Sequence, residues 1–232
     1  MKKIILVFAA VLLASVGWSQ TVNIHFKNGQ SVQFYSNGIE YIEFTEATNN
    51  NATVTSGDAV DLGLSVKWAS CNVGATLPEE FGDIYAWGET TTKDNYSLET
   101  YIFYDMGTQS YMDIGKDIGG TDFDVAHVKW GEQWRMPTFD ETKELRENCS
   151  WRWSKINEVF GYVVTGANGN SIFFPVNEKS NFWASDIFEY EKNKAQNTLV
   201  TARCLGLSNT KVNTIVGTGR YNGCFVRPVT SK

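Results

Sequence analysis

Apolar and polar residues alternate on both sides of Asn28-Gly29, a pattern typical of half-buried β-strands. Asn-Gly is a strong hairpin signal, because both residues accept the positive φ of a tight turn. The alternating apolar residues are Val22, Ile24, Val32 and Phe34. The pattern predicts a small β-hairpin module over residues 20–46, followed by a polar linker over 47–58.

A helical period replaces this alternation after residue 137. Thr138 is a favourable N-cap, and Glu141 lies three residues later, at the capping-box position. Pro137 disfavours an earlier start of the helix. One side of the segment carries Phe139, Thr142, Leu145 and Cys149. We therefore predict an amphipathic helix that buries this side and turns its charged side to solvent.

Most of the remaining apolar segments are short and bounded by turn residues, which favours antiparallel strands. The clearest is a hairpin in which 162–165 and 171–174 flank a turn at Asn168-Gly169. Further strands are predicted at 60–75, 182–185, 199–207 and 224–229. Many short strands beside one or two helices define an α+β domain, here over residues 59–232, rather than a parallel βαβ protein.

The first nineteen residues have the three parts of a secretory signal. Lys2 and Lys3 precede an apolar run over 4–16, and small residues stand at 17 and 19. We predict a signal peptide over residues 1–19 and a protein that is secreted, periplasmic or at the cell surface. The apolar run is too short for a stable anchor and no second one follows, so no membrane span is expected.

Composition and net charge restrict the kinds of molecule that the chain is expected to bind. The chain has 232 residues, of which 42% are hydrophobic and 14% aromatic, enough for a sizeable core. Its formal charge is −6, and loss of residues 1–19, with two Lys and no acid, makes it −8. An acidic chain without a basic stripe does not favour nucleic-acid binding.

Four cysteines in an exported chain predict disulfides. Four cysteines allow three pairings, and we favour Cys71–Cys149 and Cys204–Cys224. The second pair lies in two segments that both read as strands, and the first would tie an early strand to the end of the helix. Each bridge would contribute about 3–4 kcal/mol through the entropy of the unfolded chain.

Several sequence blocks resemble the Fibrobacter succinogenes major paralogous domain family of exported bacterial proteins. The blocks run in order through residues 60–229 and include Tyr85-Ala-Trp-Gly-Glu, Trp134-Arg-Met-Pro-Thr, Phe182-Trp-Ala-Ser and Phe225-Val-Arg-Pro-Val. The resemblance implies a C-type-lectin-like fold, which is also the scaffold of formylglycine-generating enzymes. It implies no particular activity.

Tests for catalytic and metal-binding motifs find little. The Ca²⁺-binding tripeptides of sugar-binding C-type lectins are absent, as are a Gly-x-Ser-x-Gly elbow and a His-Glu-x-x-His motif. The acidic residues of loop 113–124 form either a solvated loop or an oxygen site for a cation. We predict no catalytic residue, no metal ligand and no cofactor.

The polar loops of the large domain are the remaining candidates for function, because long ordered loops often carry binding sites. Candidate loops are 90–122 and 186–222, whose Asn, Tyr and Arg side chains suit adaptable recognition. The candidate ligand-binding residues are Trp183, Tyr190, Asn209, Asn213, Arg220, Tyr221 and Asn222. We expect a non-enzymatic binding or adhesion module for a glycan or a protein. The alternatives are an enzyme on the same scaffold, formylglycine-generating or glycan-active, and a structural part of a surface assembly.

Overall fold

The structure, a computed structural model, describes residues 21–25, 31–35, 57–178, 180–189 and 200–232. The chain divides into two compact units, Met1–Asn50 and Asn51–Lys232. In the first unit, strands β1 (Thr21–His25) and β2 (Ser31–Tyr35) pair antiparallel, with Val22 opposite Phe34 and Ile24 opposite Val32. The predicted signal peptide, the Asn28-Gly29 turn and residues 47–56 of the linker lie outside the described residues.

The second unit is a mixed α+β fold built from short antiparallel strands and two α-helices, which confirms the predicted class. Its strands are β3 (Ala59–Asp61), β4 (Lys67–Ala69), β5 (Tyr104–Asp105), β6 (Ser110–Tyr111), β7 (Ser150–Ile156), β8 (Val159–Thr165), β9 (Ser171–Pro175), β10 (Ser180–Glu189), β11 (Val200–Ser208), β12 (Lys211–Gly219) and β13 (Val229–Thr230). Its helices are α1 (Val125–Trp130), α2 (Phe139–Asn148) and a single 3-10 turn at Leu98–Thr100. The strands form three three-stranded sheets, β13-β4-β3, β7-β8-β9 and β10-β11-β12, and the pair β5-β6.

Helix α2 begins where the sequence predicts. The Thr138 side chain accepts a hydrogen bond from the Glu141 backbone N–H, and the Glu141 side chain accepts one from the Thr138 N–H, so the capping box is complete. Phe139, Thr142 and Leu145 are buried, as the pattern predicts. Among the described residues, neither α-helix is long and apolar enough to cross a bilayer.

The segment just before α2 is tied to the end of the chain. Arg135 and Val229 exchange both backbone hydrogen bonds, at 3.0 and 2.9 Å. The Arg135 guanidinium also forms an ion pair with Glu141 at 2.6 Å, which links this segment to the first turn of the helix. The segment that leads into α2 is therefore held against the last strand of the chain.

Sheet β10-β11-β12 separates two hydrophobic clusters. Trp183 and Cys204 belong to the first cluster, with α1 and Trp87. Phe182 and Leu205 belong to the second, with Leu145 of α2. Because successive strand residues face opposite sides of a sheet, neighbouring positions on β10 and β11 supply the two clusters.

One buried arginine braces strands from two other sheets. Arg227 is 1% exposed. Its guanidinium donates to the Asn72 side chain at 2.7 Å and to the carbonyls of Ala69, Ser70 and Phe173 at 3.0, 2.8 and 2.9 Å. Burial lowers the pKa of Arg227 to about 9, which leaves the group charged at neutral pH.

The structure does not show the predicted disulfides, since none of the four cysteines forms one. Cys71 lies in the first cluster, whereas Cys149 packs against the second. Cys204 lies opposite Trp183 on one side of β10, and Phe225, next to Cys224, bridges to β10 on the other side. Cys204 and Cys224 are therefore two strand spacings apart, which places their Cα atoms about 9–10 Å from each other. A disulfide spans at most roughly 7 Å between Cα atoms.

Candidate functional site

An open pocket of about 810 Å³ with chemically mixed walls lies beside segment 81–96. We refer to it as the 81–96 pocket. Aromatic, aliphatic, charged and amide side chains contribute to its surface. It is lined by Phe81, Gly82, Asp83, Ile84, Thr92, Lys93, Asp94, Tyr96, Asn177 and Phe225.

Aromatic residues from distant parts of the sequence form the pocket walls. The rings of Phe81 and Phe225 lie 5.8 Å apart, and Phe225 continues to Phe182 of the core at 5.5 Å. The Tyr96 hydroxyl donates to the Ile84 carbonyl, which holds the Tyr96 ring beside Ile84. A Cβ on Gly223 would lie 3.0 Å from Tyr96 Cγ, so the absence of a side chain at Gly223 allows this approach.

Lys93 lines the pocket, but its ammonium group is already paired with Glu89. Lys93 Nζ donates to Glu89 at 2.8 Å and to the Thr100 carbonyl at 3.0 Å. Glu89 is 4% exposed and also accepts from the Ile102 N–H at 3.1 Å. The Lys93 ammonium and the Glu89 carboxylate therefore neutralise each other and hold the loop that follows the pocket.

The carboxylates of Asp83 and Asp94 remain as the exposed charges of the pocket. Asp83 accepts a hydrogen bond from the Tyr85 hydroxyl at 3.0 Å, and its N–H donates to the Val73 carbonyl. Within the part of the chain that the structure describes, neither aspartate forms an ion pair. The pocket is consequently an aromatic surface with an acidic rim.

Arg220, a predicted ligand contact, is instead a buried brace behind this region. It is 3% exposed, and its Nε donates to the Tyr101 hydroxyl at 3.0 Å. Its guanidinium carbon lies 4.6 Å from the ring centre of Trp87 and 5.1 Å from that of Tyr111. Arg220 thus joins the two predicted loops, 90–122 and 186–222, but from below the surface.

The other predicted ligand residues do not form one site. Trp183 is 1% exposed and donates its indole N–H to the Tyr85 carbonyl at 2.7 Å, so its assignment to a surface site is wrong. Tyr190 lies outside the described residues. Asn209 is exposed in the β11–β12 turn, and Asn213 lines a separate cavity of about 210 Å³. Tyr221 and Asn222 are half-buried near Arg220.

None of the described members of that predicted set lines the 81–96 pocket. The sequence signal that was available is the segment Phe81-Gly-Asp-Ile-Tyr, in which bulky rings alternate with small and acidic residues. What the sequence does not show is that Phe225 and Asn177 close the pocket from the other side.

Three acidic residues of loop 113–124 accept hydrogen bonds from the backbone. Asp113 and Asp117 accept from the N–H groups of Gly115 and Gly119. Asp124 is fully buried and caps α1. Burial raises the pKa of Asp124, while four backbone N–H groups oppose that shift. Across the described residues, no group of three or more His, Cys, Asp or Glu side chains is placed to hold a metal ion.

Comparison of the chain with known protein families, with curated proteins and with solved structures finds no match. The geometry of the 81–96 pocket and the chemistry of its lining therefore carry the functional interpretation.

Proposed function

We propose that this chain is an exported, non-enzymatic binding module that takes a glycan in the 81–96 pocket. The observation that carries this proposal is the combination of size and lining. A cavity of about 810 Å³ with aromatic walls and polar groups at its rim lies in the range of small-ligand sites.

The lining suits a sugar chain on physical grounds. The C–H faces of a sugar ring are apolar and pack on aromatic rings such as Phe81 and Tyr96. Sugar hydroxyls donate well to carboxylates, and Asp83 and Asp94 supply them. The Thr92 hydroxyl and the Asn177 amide add groups that both donate and accept.

Two further features support the same proposal. The walls are built on backbone pairing, because Tyr85 and Cys224 exchange hydrogen bonds at 2.9 and 3.0 Å, so the pocket is formed before a ligand arrives. The antiparallel α+β architecture and the sequence blocks that resemble the paralogous domain family support a C-type-lectin-like scaffold. The signal-like residues 1–19 support export.

Binding is favoured over glycan cleavage. A glycosidase uses two carboxyl groups, one of which is kept protonated by an apolar environment. Asp83 and Asp94 are both exposed to solvent, so neither occupies such an environment.

A glycan panel followed by calorimetric titration of the binding glycan tests this proposal. Phe81→Ala should weaken binding about tenfold, which corresponds to about 1.4 kcal/mol of lost stacking. Phe160→Ala is the matched control, because Phe160 is 50% exposed on β8 and lies outside the pocket lining. Equal affinity of the two variants, absence of any glycan ligand, or release of reducing sugar on incubation would each contradict the proposal.

A further inference from the structure

We infer that the glycan bound in the 81–96 pocket carries protonated amino groups, as in a polymer of amino sugars with free amines. This inference rests on the proposed function and adds the charge of the ligand to it. It follows from the balance of charges around the pocket and from the aromatic rings between them.

The charge balance is negative because the positive charge is already neutralised. Lys93 lines the pocket, but its ammonium group lies 2.8 Å from Glu89, which is almost completely buried. A partly buried ion pair at that distance has little net field at the pocket surface. The carboxylates of Asp83 and Asp94 therefore set the sign of the potential there, and an ammonium group is their natural partner.

The aromatic walls favour the same ligand class. The faces of Phe81, Tyr96 and Phe225 carry the negative side of the ring quadrupole, which attracts a cation. The chain already shows one such contact, since Lys93 Nζ lies 5.5 Å from the centre of the Tyr96 ring. An amino sugar satisfies both features, because its ring stacks on the aromatic faces while its ammonium reaches the carboxylates.

Other charge classes fit less well. An anionic glycan would bring its carboxylate or sulfate against two aspartates, at a repulsive cost. A bare divalent cation prefers six or more oxygen ligands, and the described residues around the pocket provide two carboxylates. A neutral glycan would stack on the rings but would leave both carboxylates without a charged partner.

The test compares two ligands with the same sugar backbone, of which only one is charged. The tetramer of N-acetylglucosamine and the fully deacetylated tetramer of glucosamine share one backbone, but only the second carries amines. The full chain is titrated at about pH 5.5, where the amines are protonated. We expect the deacetylated tetramer to bind at least tenfold more tightly, with an advantage that shrinks as salt is added.

Variants assign that preference to the pocket. Asp83→Asn combined with Asp94→Asn should reduce the preference to less than threefold, whereas Asp140→Asn should keep it. Asp140 is a suitable control because its side chain is 90% exposed on α2, outside the pocket lining. Thermal melting confirms that each variant is folded.

The outcomes separate the two proposals. If both tetramers bind equally and Phe81→Ala weakens both, the pocket binds glycans but the inferred charge selectivity is wrong. Retention of the preference in the double aspartate variant places it elsewhere and overturns the inference. If neither tetramer binds, the inference fails, and the glycan panel then decides separately whether the pocket binds glycans at all.

Discussion

Arg227 and Arg220 are both buried without a carboxylate partner among the described residues, yet the same substitution should affect them differently. Arg227 donates four hydrogen bonds, to the Asn72 side chain and to three backbone carbonyls. Arg220 donates one, to the Tyr101 hydroxyl, and otherwise contacts the faces of aromatic rings. Replacement by Met keeps much of the apolar volume of either side chain and removes its charge and its donors.

The expected loss for Arg227→Met follows from the acceptors left behind. Three buried oxygens and the partly buried Ser70 carbonyl lose their donor, and each unsatisfied buried group costs about 1–3 kcal/mol. Removal of a buried charge returns several kcal/mol of desolvation energy. We expect a net loss of about 3–4 kcal/mol, a large part of the roughly 5–15 kcal/mol that holds a domain folded.

At Arg220 the lost contacts and the recovered desolvation energy should nearly cancel. Arg220→Met forfeits one hydrogen bond and cation–π contacts worth about 1–2 kcal/mol each, but the Tyr101 hydroxyl still donates to the Trp87 carbonyl at 2.7 Å. Relief of the desolvation cost offsets much of that, so we expect a change below about 1 kcal/mol. Chemical denaturation followed by tryptophan fluorescence measures both free energies of unfolding. Equal losses in the two variants would refute the reasoning, as would a loss below about 1 kcal/mol for Arg227→Met.

Three further predictions concern the fold. Asp124→Asn replaces an acceptor of four backbone N–H bonds by an amide and should cost about 2–4 kcal/mol in denaturation, with exposed Asp122→Asn as the control. Burial raises the pKa of Asp124 above 3.8, so the folded state binds this proton more tightly than the unfolded state. The resulting stabilisation is present below about pH 3.8 and is lost as the pH rises through the folded-state pKa. The variant should therefore lose more stability at about pH 3.5 than at about pH 7. Thiol titration should count four thiols in denaturant. In the folded chain Cys71 should react slowly, because burial raises its pKa. A count of zero thiols would support the disulfide prediction instead. Gly166→Ala places a Cβ 1.9 Å from the Leu62 carbonyl and should cost more than about 2 kcal/mol, and Gly107→Ala, with no backbone atom that close, should cost far less.

The elements that the sequence predicts well are those determined by neighbouring residues. The start of α2 follows from Thr138 and Glu141, three residues apart. The β8–β9 hairpin follows from alternation on either side of a turn in which the Gly169 N–H donates to the Gly166 carbonyl. Helix α1 has only six residues, too few for a visible period, and its cap at Asp124 was not recognised.

The pocket was harder to predict because its walls meet across the sequence. Phe81 contacts Phe225, and Phe225 in turn lies beside Phe182 of β10, so three distant segments meet there. Trp183 and Arg220 were predicted as ligand contacts from their place in or beside polar loops of the sequence. In the structure a carbonyl, a hydroxyl and ring faces meet those atoms, so both side chains are buried.

The position of β4 between β3 and β13 has a consequence for how this unit can be joined to other chains. The first and last strands of the unit flank one shared neighbour and run in the same direction. Ala59, where β3 begins, and Thr230, where β13 ends, therefore lie two strand spacings apart and two residues apart along β4, about 12 Å in all. Such a unit can be spliced into a surface loop of a host protein through these two strands, with little disturbance of either partner.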